Sequence, residues 1–179
     1  MENDYLSSIL KVNPPEIETL VNQYWHDVWQ YALFLTRQEH LAEDIAQETF
    51  IRAFRSIDSF RGQCEWKTWL FRIARNIAFN YQKSAFIKRV TLIGLFKDSR
   101  KVQSAESDYF AGASMDELWK SVLELPRIYR EILILDNHYG LSHAELSELL
   151  GISTGTVKSR LHRARAKLAK RMKEVDGHG

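Results

Sequence analysis

Between Gly155 and Lys173 the chain carries eight basic residues and no acid. Wound as a helix at about 100° per residue, Val157, Leu161, Ala164, Leu168 and Met172 share one narrow arc, a side to be buried. Thr156, Ser159, His162, Arg163 and Lys170 share the opposite arc, with Lys158, Arg160, Arg165 and Lys167 on its flanks. An outward arginine such as Arg163 is suited to the acceptor edge of guanine, while flanking cations bind phosphate and position without specifying. A basic amphipathic helix can also be a solvated coat or lie on a membrane surface, so what precedes it decides between the readings.

Two further clusters sit in the N-terminal half. Asp44, Gln47 and Glu48, with Glu43, Arg52 and Arg55, make a polar stripe on a helix, which is either a solvated face or a docking surface. Thr68, Arg72, Asn76, Phe79, Asn80 and Lys83 fall on one side of a later helix, after a loop containing Phe60 and Arg61. Amides, an aromatic ring and cations on one face suit single-stranded nucleic acid, whose bases stack on rings while cations hold phosphate. Trp66 and Trp69 are expected in the core.

Enzymatic groupings are missing. Cys64 has no histidine near it in sequence, and His26, His40, His138, His143, His162 and His178 have no metal-ligand spacing. Asp136, His138 and His143 read as a helix end and a loop, and there is no glycine-rich phosphate loop. The sequence therefore predicts no catalytic residue, metal, cofactor or small-molecule substrate.

The elements that must position these residues are helices. Pro14-Pro15 opens a stretch in which Ile17, Leu20, Val21, Tyr24, Val28, Tyr31, Ala32 and Leu35 recur at three- and four-residue steps. A second helix is expected from about Leu41 to Ile57, a turn at Ser59–Gly62, and a third helix from Trp66 to near Lys83. From Ser84 periodicity weakens; Val90–Phe96 is apolar, and 97–113 has the composition of a tether. Helical pattern resumes at Met115, Leu125-Pro126 punctuates it, and Ile128–Tyr139 is expected as a helix stopped by Gly140. Ser142 with Glu145 forms a capping box, Gly151 can turn left-handed, Ile152 returns to the core, and Ser153 can cap a helix from Thr154. A short capped helix, a glycine turn and a longer basic helix make a helix-turn-helix.

Charge alternates in blocks behind a net of +2: −6 over residues 1–60, +8 over 61–101, −6 over 102–154 and +6 over 155–179. Two separated basic blocks predict two contacts with a polyanion, and the acidic blocks predict surfaces for something else. No run of about 18 apolar residues predicts a membrane span. One cysteine and an acidic start without an apolar signal core predict a reducing, cytoplasmic setting. The expected fold class is all-α: two small helical domains joined by a flexible linker, with a C-terminal helix-turn-helix.

Specific motifs add a resemblance. Leu125-Pro-x-x-x-Arg130, Gly140-Leu-Ser-x-x-Glu145-Leu and Leu150-Gly-Ile-Ser-x-Gly-Thr-Val-Lys-Ser-Arg-Leu-x-Arg-Ala-Arg165 resemble the C-terminal DNA-binding domain of extracytoplasmic-function (ECF) sigma factors. Ala42–Phe54 resembles that family's polymerase-binding segment, and Phe60-Arg-Gly with Trp66–Asn76 resembles its minus-ten segment. The resemblance implies a region 2 domain over 1–83, a linker over 84–113 and a region 4 domain over 114–179. It implies core RNA polymerase on Asp44, Gln47 and Glu48, and minus-ten DNA on Phe60, Arg61, Arg72, Asn76, Phe79, Asn80 and Lys83. Minus-thirty-five DNA would fall to Ser153, Thr154, Thr156, Lys158, Ser159, Arg160, His162 and Arg163. An anti-sigma factor is an implied further partner, and Val90–Phe96 a candidate for its docking. The alternative is a conventional transcription regulator whose N-terminal half binds a ligand or dimerises.

Overall fold

The computed structural model describes residues 14–93 and 117–176, with side chains placed over 18–84 and 117–174. Every regular element among the described residues is helical. The chain divides into two compact units, Met1–Val102 and Gln103–Gly179.

The first unit is built from α1 (Pro14–Thr36), α2 (Glu39–Ser56), a 3-10 turn (Ile57–Ser59) and α3 (Trp66–Ile93). Pro15 sits in the first turn of α1, where a missing N–H costs nothing. Val28, Tyr31, Ala32 and Leu35 are buried as their spacing predicts. The helix ends abruptly because Arg37 adopts φ 59°, rare for a residue with a side chain. Its N–H donates to the Leu33 carbonyl at 2.7 Å, and Thr36 Oγ1 donates to the Ala32 carbonyl at 2.8 Å. Those bonds satisfy the orphan carbonyls and let α2 start two residues later.

Along α2 the buried set is Ala42, Ile45, Ala46, Thr49, Phe50 and Ala53, a three-and-four repeat in which the alanines admit close helix approach. Each of the three helices packs on the other two. Tyr31 lies against Phe71 with ring centroids 4.6 Å apart, and Trp25 stacks on Phe50 at 5.7 Å. Full burial of a side chain such as Phe71 stabilises by roughly 1.5–3 kcal/mol, the main force holding three helices that would not persist singly.

Three expectations for α3 are corrected. The helix runs ten residues beyond Lys83, to Ile93; between Ser84 and Ile93 there is no glycine or proline to stop it, and Gly94 is the first. Thr68, expected to face outward, is 1 % exposed. Trp66 and Trp69, expected in the core, are only half-buried, because Leu70, Phe71, Ala74, Ile77 and Ala78 already fill it. Of the apolar Val90–Phe96 stretch, the first four residues continue the α3 backbone; its side chains and residues 94–96 lie outside the described set, as does the 97–113 segment.

The second unit comprises α4 (Glu117–Leu123), α5 (Arg127–Leu133), a π-helical turn (Ile134–His138), α6 (His143–Leu150) and α7 (Thr154–Asp176). Helix α7 packs on α4, α5 and α6. The Leu125-Pro-x-x-x-Arg130 motif has a mechanical explanation here. Pro126 starts α5, and Arg130, one turn later and 6 % exposed, donates from Nη1 to the Leu123 carbonyl at 2.8 Å and the Leu125 carbonyl at 3.4 Å. A buried guanidinium thus caps the negative end of α4 and ties it to α5. The predicted helix Ile128–Tyr139 is not uniform: at Ile134 it widens, with the Tyr139 N–H donating to the Ile134 carbonyl at 3.1 Å. Gly140, at φ 68°, ends it as expected.

Candidate nucleic-acid interface

The reading helix is placed by short-range chemistry. Ser142 Oγ accepts from the Glu145 N–H at 3.3 Å while Glu145 Oε2 accepts from the Ser142 N–H at 2.8 Å, the full capping box. Gly151 turns left-handed at φ 66°, ψ 38°. Ile152 is then clasped from both sides, its N–H to the Ser147 carbonyl at 3.1 Å and its carbonyl from Ser147 Oγ at 2.6 Å. Ser153 Oγ accepts from the Thr156 N–H at 3.1 Å and so caps α7.

On α7 the predicted buried arc holds at Val157, Leu161 and Ala164, all at most 2 % exposed, and relaxes to half-buried at Leu168 and Met172. All eight candidate minus-thirty-five residues reach the surface: Ser153, Thr154, Lys158, His162 and Arg163 are exposed, and Thr156, Ser159 and Arg160 half-buried. Arg163 Nη2 lies 3.4 Å from Ser159 Oγ, so the two share one patch.

The rear half of the helix differs from the sequence expectation. Arg165 reaches Asp136 on the π-helical turn at 2.7 Å; Arg171 pairs with Glu124 at the end of α4; Lys167 lies over the Tyr129 ring at 5.5 Å. These cations brace α7 against α4 and α5, while Lys170 and Lys173 stay exposed on the same half of the helix. Beside them an apolar groove is lined by Leu118, Trp119, Val122, Leu133, Ile134 and Leu168.

In the first unit, Arg72, Asn76, Phe79, Asn80 and Lys83 share one outward side of α3: Asn76, Asn80 and Lys83 are exposed, Arg72 and Phe79 half-buried. Phe60 and Arg61 come from the loop before α3. Phe60 is half-buried, with its ring 4.0 Å from Trp66 and 5.1 Å from Trp69, whereas Arg61 is exposed. Trp69 precedes Arg72, Asn76 and Asn80 by three, seven and eleven residues, so the aromatic cluster adjoins the polar arc. That spacing was visible in the sequence, but tryptophan's usual place in a core hid it. The guanidinium of Arg75 covers Phe79 at 4.4 Å, an i, i+4 pair also missed.

The polar stripe of α2 faces out. Asp44 and Gln47 are exposed, and Glu48, half-buried, accepts from Arg52 Nε at 2.7 Å. No group of three or more histidine, cysteine or carboxylate side chains among the described residues could hold a metal ion. No described helix is long and apolar enough to cross a membrane.

Comparison with known proteins gives this geometry its context. The family model of sigma-70 region 2 matches residues 20–85, and that of sigma-70 region 4 matches residues 115–168. The chain is 35 % identical to the ECF RNA polymerase sigma factor SigM of Bacillus subtilis, over 85 % of this chain and 92 % of the relative. It is 32 % identical to SigW of the same organism, over 95 % and 96 %. The chain belongs to the ECF sigma factors. Among solved structures, it is similar to the sigma factor RpoE of Bartonella quintana, solved with the anti-sigma factor NepR, at 26 % identity, TM-score 0.71 and coverage of 88 % and 97 %.

As an ECF sigma factor it binds core RNA polymerase and promoter DNA and directs promoter-specific transcription initiation. It is not an enzyme; bond formation belongs to the polymerase. The alternative of a conventional regulator is set aside, because residues 20–85 match sigma region 2 rather than a ligand-binding or dimerisation domain.

Proposed function

We propose the following division of labour within this sigma factor. Residues 1–83 form the region 2 domain, 84–113 the linker and 114–179 the region 4 domain. Asp44, Gln47 and Glu48 on α2 dock on core polymerase. The front of α7, with Ser153, Thr154, Thr156, Lys158, Ser159, Arg160, His162 and Arg163, reads the minus-thirty-five duplex in the major groove. Phe60, Arg61, Arg72, Asn76, Phe79, Asn80 and Lys83 then capture the melted minus-ten strand.

The observation that carries this reading is the exposed front of α7, held by a capped turn. Its outward residues combine a fork-shaped donor, hydroxyls and a lysine, the set that reads base edges and holds phosphate. The side of α3 supports the second contact: its exposed amides and cations lie beside rings able to stack on extruded bases, and flipping costs a few kcal/mol that such contacts offset. An anti-sigma factor is a further partner in this reading, supported by the Bartonella quintana relative having been solved with one. The setting is cytoplasmic, where the polymerase works.

Purified protein added to core polymerase should produce transcripts from a defined start site, with protection of both promoter elements in footprinting. Duplex binding by the protein alone, with no transcript from core enzyme, would overturn the assignment.

A further inference from the structure

Three aromatic rings of the first unit meet at the start of α3 without entering its core. Trp66 and Trp69 are three residues apart and so lie on one side of the helix; both are half-buried, because Leu70 and Phe71 take the interior. The third ring, Phe60, comes from the loop 60–65, which is curled by bonds of its own. The Phe60 N–H donates to the Ile57 carbonyl at 3.0 Å, the Arg61 N–H to Gln63 Oε1 at 3.1 Å, and Gly62 turns left-handed at φ 69°. Those bonds shape the loop, and the Phe60 ring lays it against α3. Its centroid is 4.0 Å from Trp66 with 31° between the planes, and 5.1 Å from Trp69 with 45°. Trp69 meets Trp66 edge-on, at 5.6 Å and 73°. Both arrangements are attractive for aromatic pairs, so Trp66 is the seat of Phe60 and Trp69 the buttress of Trp66.

Rings gathered for stability alone belong inside. These stand at the rim, and Arg72 and Asn76 follow Trp69 by three and seven residues, so Phe60 is held beside the polar arc of α3. We propose that Trp66 is a positioning residue for base capture. Through its contact with Phe60 it fixes the loop in the base-receiving form before DNA arrives, so the loop is ordered on folding and not at the moment of binding. Trp66 touches no DNA in this role and acts through Phe60. The role rests on the reading of Phe60 as a minus-ten contact and goes beyond it: a residue outside the contact set governs how firmly one extruded base is held.

The test is equilibrium binding of holoenzyme, reconstituted from the full chain and core polymerase, to a fluorescent single strand. The strand is the non-template minus-ten region of a promoter that the holoenzyme uses, intact or abasic at one position at a time. The readout is the loss of affinity caused by each abasic site. The parent should lose about tenfold at the captured base, and Phe60→Ala should reduce that loss to about twofold or less. Trp66→Ala should reduce it equally with Phe60 still present, and Trp66→Phe should restore it. The double variant of Phe60→Ala and Trp66→Ala should match Phe60→Ala alone. Trp66→Leu keeps apolar bulk and removes the flat face; it should behave as Trp66→Ala, and it replaces that variant if the alanine form does not fold. A parental loss at the captured base in Trp66→Ala or Trp66→Leu overturns the positioning role and leaves the Phe60 assignment standing. A double variant that binds the intact strand more weakly than Phe60→Ala also overturns it, since Trp66 then acts other than through Phe60. If Phe60→Ala itself keeps the parental loss, the assignment of Phe60 falls and the role of Trp66 with it.

Discussion

Arg130 Nη1 donates to the carbonyl oxygen of Leu123 at 2.8 Å, across the break between α4 and α5. The arginine is 6 % exposed, so its loss would strand buried carbonyls of Leu123 and Leu125 with no water to replace the donor. Arg130→Met should destabilise the second unit by about 1.5–3 kcal/mol, the range for a hydrogen bond from a charged group. Urea unfolding of the full chain checks this, and an unchanged midpoint would contradict the capping role.

Gly151 tests the turn. An added Cβ there meets nothing within 4 Å, so the cost of Gly151→Ala is purely conformational, from φ 66°. The expected loss is about 1 kcal/mol. Gly155→Ala, where the nearest atom is Ser153 Oγ at 3.8 Å and the backbone is helical, should instead be neutral or stabilising by up to about 1 kcal/mol. Differential scanning calorimetry of the pair separates strain from packing.

Arg163 and Lys158 are expected to fail differently. Arg163→Ala should cost about 1–3 kcal/mol on the preferred upstream element and little on scrambled duplex, which relaxes specificity. Lys158→Ala should weaken binding evenly and reduce the salt slope by about one ion. Equal behaviour in a binding titration over several duplexes would show that the outward arc of α7 is misassigned.

Asn80→Ala and Phe79→Ala should impair strand capture rather than docking. Permanganate reactivity of minus-ten thymines should fall with polymerase present, while protection of the upstream element persists. Loss of both signals together would indicate a general folding defect instead.

Charge reversal at Asp44 and Glu48 should lower affinity for core polymerase about tenfold or more and leave upstream duplex binding by the C-terminal unit intact. Pull-down of core enzyme and a mobility-shift titration read the two effects separately.

The helix-turn-helix was legible because its determinants are local. The capping box, Gly151, the Ser153 cap and the α7 buried arc each depend on residues at most a few turns apart, and the structure reproduces them. What depended on neighbours distant in sequence was not. Arg130 stands in the sequence only as a motif residue, and its role is set by the carbonyls of Leu123 and Leu125 around it. Arg165 reads as a phosphate ligand until Asp136, 29 residues earlier, arrives beside it. Trp66 and Trp69 follow the general rule that large apolar rings are buried, yet the core of three helices is already full.

The π-helical turn at Ile134–His138 has a consequence for how this unit tolerates change in length. A turn that closes over five residues rather than four holds one residue in surplus, and Asn137 spans the widened rung by donating from Nδ2 to the Leu133 carbonyl at 3.1 Å. Removing one residue here lets the backbone relax to an ordinary α-helical rung with Gly140 and α6 kept in phase. The same deletion in α5 or α7 would swing every later side chain by about 100°. A shortened rung would, however, carry Asp136 off the axis on which it meets Arg165, unfastening one of the braces behind the reading helix while leaving the fold itself closed.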